Sequence, residues 1–202
     1  MMAMKETIAI IGEGITEKFF IESIKDSIKI KPKYFEPSNS SMKEYKQKVI
    51  EAIGKEYSKI ICLIDMDNKI DDGNPYHLAN RDEYLNFRNW ANIRNKSKKR
   101  KAEIIILETY PCSELFFYYY FEYKTAGKTN EGLKRELYLK FGYEPTLKYL
   151  GKHSLHDVME AYGGSLNDAI QRARQSVRDR NYRNIKSCYS EMSILFDILT
   201  LK

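Results

Sequence analysis

The chain has 202 residues, a net charge of +6 and a pI near 9.0, with 43% hydrophobic and 31% charged residues. That length suits one α/β domain with a modest extension, the composition fits a soluble globular protein, and no apolar run approaches a membrane span. Three scattered cysteines argue against a disulfide framework or a zinc site and fit a reducing cytoplasm, while the moderate basic excess permits a polyanionic partner without requiring one.

In chain order, Lys5 and Glu6 precede an apolar run too short for a signal peptide. Thr7–Ile11 reads as a buried strand that stops at Gly12-Glu13-Gly14. A helix is predicted from Ile15 to about Ile28, with Phe19, Phe20, Ile24 and Ile28 at helical spacing. Tyr34-Phe35-Glu36 is a short strand closed by Pro37, and Ser38–Ser41 is a turn with N-cap residues. A second helix is expected over Met42–Tyr57. Lys59–Ile64 is a continuous apolar strand of the kind buried on both faces, and it ends in Asp65-Met66-Asp67. Asn68–Asn80 reads as a loop, Arg81–Asn95 as a helix and Glu103–Leu107 as a strand broken by Thr109-Tyr110-Pro111. A helix rich in aromatics starts at Cys112-Ser113-Glu114. From Asn130 onward the pattern is helical, punctuated by Gly142, Gly151 and Gly163-Gly164. Alternating strands and helices imply a mostly parallel sheet flanked by helices over residues 1–125, with an α-helical extension packed on it over residues 126–202.

Glu13, Asp65, Asp67 and Glu114 all follow predicted strands. Parallel strands end on one edge, so the four carboxylates are expected to converge there. If the first helix has begun by Glu13, Glu17 shares its face. Carboxylates so crowded are costly unless a cation or proton lies between them, and hard oxygen ligands suit Mg²⁺ or Mn²⁺. Two such ions would activate a water and stabilise the leaving oxygen of a phosphodiester. The plainer alternative for Asp65 and Asp67 is a loop cap.

Three motifs carry a family resemblance. Glu13-Gly14-Ile15-Thr16-Glu17 resembles the EGxTE signature of the TOPRIM domains in OLD-type nucleases and RloB-like proteins. Leu63–Asp67 is similar to their apolar strand ending in DxD. Tyr110-Pro111-Cys112-Ser113-Glu114-Leu115, with Tyr120-Phe121-Glu122, resembles a segment typical of RloB-like proteins, with Tyr110 in place of Asn and Ser113 in place of Phe. The resemblance implies a TOPRIM-like fold and a Mg²⁺-dependent nuclease of bacterial anti-phage defence, acting on DNA or RNA. It also implies that Glu13 is a general acid/base or metal ligand, that Asp65 and Asp67 are metal ligands, and that Glu17 holds a second metal. Glu114 matches the family's acid, with capping of its own helix as the alternative. The same family association suggests another reading, a catalytically silent binding or sensor subunit that works with a separate ATPase. The sequence has no Walker A loop, so that ATPase must be another chain.

Other signals are weaker. Glu17 stands where a dinucleotide fingerprint needs its third glycine, and Lys69 stands where a dehalogenase-type phosphatase motif needs Thr or Val. His77, His153 and His156 complete no zinc pattern. Two basic tracts remain. Arg94–Lys101 includes Lys96, Lys98, Lys99, Arg100 and Lys101, and Arg172–Lys186 includes Arg172, Arg174 and Arg178. Each is either a solvated face or a rim that neutralises nucleic-acid phosphates, with Tyr182 able to stack on a base.

Overall fold

The computed structural model describes residues 7–184 and 186–201; Lys5 and Glu6 lie outside the described residues. The apolar run after Thr7 forms β1 (Ile8–Ile11), followed by α1 (Ile15–Ser23), β2 (Lys33–Phe35), α2 (Met42–Gly54), β3 (Lys59–Asp65), α3 (Pro75–Lys96) and β4 (Glu103–Tyr110). Five helices then follow in pairs and singly: α4 (Glu114–Tyr118), α5 (Asn130–Phe141), α6 (Leu147–Leu150), α7 (Leu155–Ala161) and α8 (Leu166–Arg178). A two-residue strand, β5 (Tyr189–Ser190), and α9 (Met192–Leu199) complete the described elements. Among the described residues no helix is long and apolar enough to cross a membrane. Cys62, Cys112 and Cys188 are buried and free.

The strands form one mixed sheet in the order β2-β1-β3-β4-β5. The first four are mutually parallel, and β5 runs antiparallel against the end of β4, pairing Thr109 with Ser190 and Tyr110 with Tyr189. Side chains alternate across the sheet because strand residues point to opposite faces. Ile8, Ile10, Ile61 and Leu63 face α1 and the carboxyl-terminal helices. Ala9, Ile11, Ile60, Cys62 and Ile64 face α2 and α3. The central strands are thus covered on both sides, which explains why they read as unbroken apolar runs.

Several expected boundaries move, each for a local reason. Helix α1 stops at Ser23, although Ile24 and Ile28 stay in the core. Helix α3 begins at Pro75 instead of Arg81, because Asn74 accepts a hydrogen bond from Tyr76 N at 2.9 Å and proline suits a first helical turn. Strand β4 continues through Tyr110, since β5 supplies the partner that its last residues need. Strand β5 breaks the purely helical pattern expected after Asn130.

The chain passes from β1 to one side of the sheet through α1 and β2, then returns through α2 to β3 on the other. The crevice between the carboxyl ends of β1 and β3 is therefore the point where an open α/β sheet places its ligands.

Candidate metal centre

Glu13 sits in the turn after β1, two residues before α1 starts. It therefore does not share a helical face with Glu17. Glu17 instead turns back on the chain: its Oε2 accepts a hydrogen bond from Gly14 N at 3.1 Å, which satisfies a free donor at the helix start and fixes where α1 begins. Gly12 has no room for a side chain, because a methyl group there would overlap the Tyr34 hydroxyl. That hydroxyl donates to the Gly14 carbonyl at 2.9 Å and pins the turn.

Asp65 closes β3. The turn beyond it is stitched to β4: Met66 N donates to Thr109 O at 2.9 Å, and Asp67 N to Pro111 O at 3.0 Å. The Tyr110–Pro111 peptide is cis. These bonds bring Ser113, at the start of α4, up against Asp65. Ser113 Oγ lies 2.8 Å from Asp65 Oδ1 and also contacts Glu17 Oε1. A serine hydroxyl has one proton, so it donates to one carboxyl group while the other supplies a proton of its own. The electrostatics agree. Burial pushes Glu17 up to about 7, with Glu114 and Glu13 adding repulsion. Burial first, then Glu17, Glu13 and Glu114, raises Asp65 well above the usual carboxylate range. Burial also raises Glu13, against the pull of Lys69.

Glu114 is buried at the first residue of α4. Its Oε1 accepts from the Tyr143 hydroxyl at 3.0 Å and lies 3.8 Å from Lys134 Nζ, contacts made outside its own helix. Asp67 is half-buried, repels Glu13, and accepts a hydrogen bond from Asn130 Nδ2 at 2.8 Å. The oxygen of that amide, Asn130 Oδ1, is buried with no partner. Lys69 lies against Glu13 as a buried ion pair at 2.8 Å, with side chains 4% and 15% exposed.

The structure thus brings Glu13, Glu17, Asp65 and Glu114 together, with Asp67 beside them. It adds Lys69, Ser113, Asn130 and Tyr143, none of them among the candidate ligands read from the sequence. The donor chemistry fits a hard divalent cation: clustered carboxylates that raise one another's affinity for protons, and an amide oxygen left without a donor. Among the described residues no group of three or more His, Cys, Asp or Glu side chains is already placed to hold a metal ion.

The first basic tract lies elsewhere. Lys96 ends α3, and Lys98, Lys99, Arg100 and Lys101 form the exposed turn before β4. Lys59 pairs with Glu103 at that end of the sheet and Asp65 with Thr109 at the other. A strand rise of about 3.3 Å per residue separates the two ends by roughly 20 Å. The first tract is therefore no rim of the acidic crevice. In the second, Arg172 donates to Tyr119 O at 2.7 Å and Arg174 to Asp197 at 2.8 Å, while Arg178 is exposed at the end of α8.

Nearer the crevice, a cleft of about 230 Å³ runs past Lys69, Arg81, Arg88, Arg180 and Tyr182. Its floor is the buried Glu108. That carboxylate accepts from the Tyr84 and Tyr189 hydroxyls and lies 3.2 Å from Arg88 and 3.6 Å from Arg180. Arg180 in turn stacks over the Tyr189 ring at 3.5 Å.

No curated protein matches the sequence. The family model described as RloB-like protein matches residues 8–199.

Proposed function

The chain belongs to the RloB-like family, and from that premise and the acidic crevice we propose that it is a TOPRIM-like, divalent-metal-dependent nuclease that hydrolyses phosphodiester bonds in DNA or RNA. Its setting in this reading is bacterial anti-phage defence in the cytoplasm, where three free thiols stay reduced.

One observation carries the reading. Five carboxylates, Glu13, Glu17, Asp65, Asp67 and Glu114, meet at the switch point of the sheet with one buried ammonium to offset them. Glu13, Asp65 and Asp67 would hold Mg²⁺ or Mn²⁺, with Glu17 and Glu114 behind them. When bound, such an ion acidifies water and stabilises charge on the phosphoryl oxygens. Ser113 keeps Glu17 and Asp65 within reach of a shared proton, and Tyr143 fixes the Glu114 carboxylate. Asn130 holds Asp67 from the start of α5.

The test is incubation with plasmid, single-stranded DNA and tRNA in Mg²⁺, Mn²⁺ or EDTA. Cleavage of at least one substrate is expected, dependent on metal and lost in Asp65→Asn.

A second reading has one observation of its own. Lys69 already neutralises Glu13, as it would in a catalytically silent binding subunit that works with a separate ATPase. A chain that binds neither ion at millimolar concentration, and cleaves nothing, would be that subunit.

A further inference from the structure

Lys69 is a cation placed among acids. Its ammonium donates to Glu13 Oε1 at 2.8 Å, to the Asp65 carbonyl at 2.8 Å and to Asn68 Oδ1 at 3.2 Å. An ammonium has three N–H donors, so each of them has an acceptor. The position is set by the turn after β3, where Lys69 N donates to Met66 O at 3.2 Å. Its three acceptors are a carboxylate, a peptide carbonyl and a side-chain amide oxygen. Those are also the oxygen types that hard divalent cations take. The ammonium thus occupies an oxygen cage with the chemistry of a metal site, at the Glu13 side of a carboxylate surplus that one positive charge cannot offset.

Two further facts bear on what Lys69 can do. It holds the one oxygen of Glu13 that the structure ties to a partner side chain, so an ion that takes this oxygen must compete with it. It also has somewhere to go. Lys69 borders the cleft of about 230 Å³ that Arg81 and Arg180 line, and a second, polar cleft of about 260 Å³ lined by Asn39, Ser41, Tyr76 and Asn80.

We propose that Lys69 is the resident cation of the acidic crevice, and that a divalent ion displaces its ammonium from Glu13 and frees it to face the clefts it borders. This rests on the reading of the crevice as a metal centre. No bond is made or broken: one cation leaves a carboxylate oxygen as another arrives. The exchange links loading of the site to release of a positive charge beside it, where an anionic phosphodiester would pass.

Competition is reciprocal, so removing the ammonium must tighten the ion. The experiment measures Mn²⁺ binding alone, with no substrate, at about pH 8, in the wild-type chain and in Lys69→Met. The variant is expected to bind Mn²⁺ at least about tenfold more tightly. Its melting temperature in EDTA should fall and should recover with Mn²⁺. In the wild-type chain labelled with ¹⁵N-lysine, the protected Lys69 ammonium signal should vanish or shift as Mg²⁺ saturates the site. This second measurement needs no variant and decides the matter if Lys69→Met does not fold. Equal or weaker Mn²⁺ binding by a folded variant, or an unmoved ammonium signal in a chain that does bind Mg²⁺, overturns the role of Lys69 and leaves the metal centre standing. Absence of binding to both chains overturns the metal centre and this inference together.

Discussion

Two buried carboxylate nests lie near the same end of the sheet, and they differ in how their charge is met. Glu108 has four partners: the Tyr84 and Tyr189 hydroxyls donate to it, and the Arg88 and Arg180 guanidinium groups pair with its charge. The crevice beside it gathers Glu13, Glu17, Asp65 and Glu114 with fewer partners per acid: Lys69 on Glu13, Gly14 N on Glu17, one Ser113 hydroxyl between Glu17 and Asp65, and the Tyr143 hydroxyl with Lys134 on Glu114. A saturated buried ion stabilises the native state only by remaining saturated, because loss of one partner strands the other charge. An unsaturated cluster stores repulsion, which a ligand of opposite charge relieves. The first arrangement belongs to the scaffold, and the second marks where chemistry is expected.

The sharpest way to break this contrast is Asp65→Asn. Cleavage should fall by about a thousandfold or more, about 4 kcal/mol of barrier. The metal-free protein should melt at the same temperature or higher, since a crowded charge is gone. A large drop in melting temperature would put Asp65 in the same class as Glu108.

Glu108→Ala is the mirror experiment. Two tyrosine hydroxyls and two arginines lose their acceptor, and denaturant unfolding should show a loss of about 3 kcal/mol. Turnover per folded molecule should change by less than about twofold, as expected of a substitution away from the reacting groups. If activity vanishes while stability holds, the cleft over Glu108 belongs to the reaction.

A smaller effect comes from pH. Glu17 moves from the usual 4.5 to about 7 on folding. Between those values the folded chain keeps a proton that the unfolded chain has lost. The contribution of Glu17 to stability in EDTA should therefore be full below 4.5, fall as pH rises towards about 7, and level off above it. Glu17→Gln should flatten that slope in a melting series. Mg²⁺ binding should show the opposite trend, strengthening up to and beyond pH 7, with proton release visible in buffers of different ionisation enthalpy.

The smallest change is expected from Lys98→Ser, Lys99→Ser and Arg100→Ser together. These residues lie roughly 20 Å along the strands from the carboxylates. Cleavage rate and its salt dependence should stay within about twofold of wild type. A flatter salt slope would mean that the substrate wraps around the sheet to reach both edges.

The sheet and the acids were legible for one physical reason. Parallel strands buried on both faces leave unbroken apolar runs, and a carboxylate at the end of such a run stands out. Glu13, Asp65 and Glu114 are of this kind. The groups that meet their charge were not legible. Lys69, Ser113 and Asn130 are isolated polar residues in turns or at helix starts, and nothing in their spacing separates them from surface residues. Lys69 offered one signal, a lysine two residues beyond an Asp-x-Asp turn, and its place in a phosphatase motif was all the sequence made of it. Glu17 was found, but it shares no helical face with Glu13: α1 starts at Ile15, as its spacing predicts, and the Glu17 carboxylate accepts from Gly14 N at that start. Strand β5 has two residues, too few for any period, and its existence follows from the unpaired edge of β4. The tract Arg94–Lys101 is conspicuous in sequence, yet its distance from the crevice depends on which end of β4 it precedes, whereas Arg180 and Tyr182 of the second tract line the cleft beside the crevice.

Strand β5 also sets a schedule. Leu199 and Thr200 accept backbone hydrogen bonds from Ile30 and Lys29, and Leu201 forms a bridge with Ile28. Glu191 completes the outer edge of β4 by accepting from Glu108 N at 2.8 Å. On a ribosome adding about 5–20 residues per second, the segment after α1 waits on the order of ten seconds for these partners. From its own synthesis until Tyr189–Ser190 follow, β4 presents an open edge, the template on which nascent chains pair with one another. Expression of this protein should thus depend on chaperone capacity and growth temperature, and shortening it before Tyr189 should send it to inclusion bodies although every carboxylate of the crevice is still encoded.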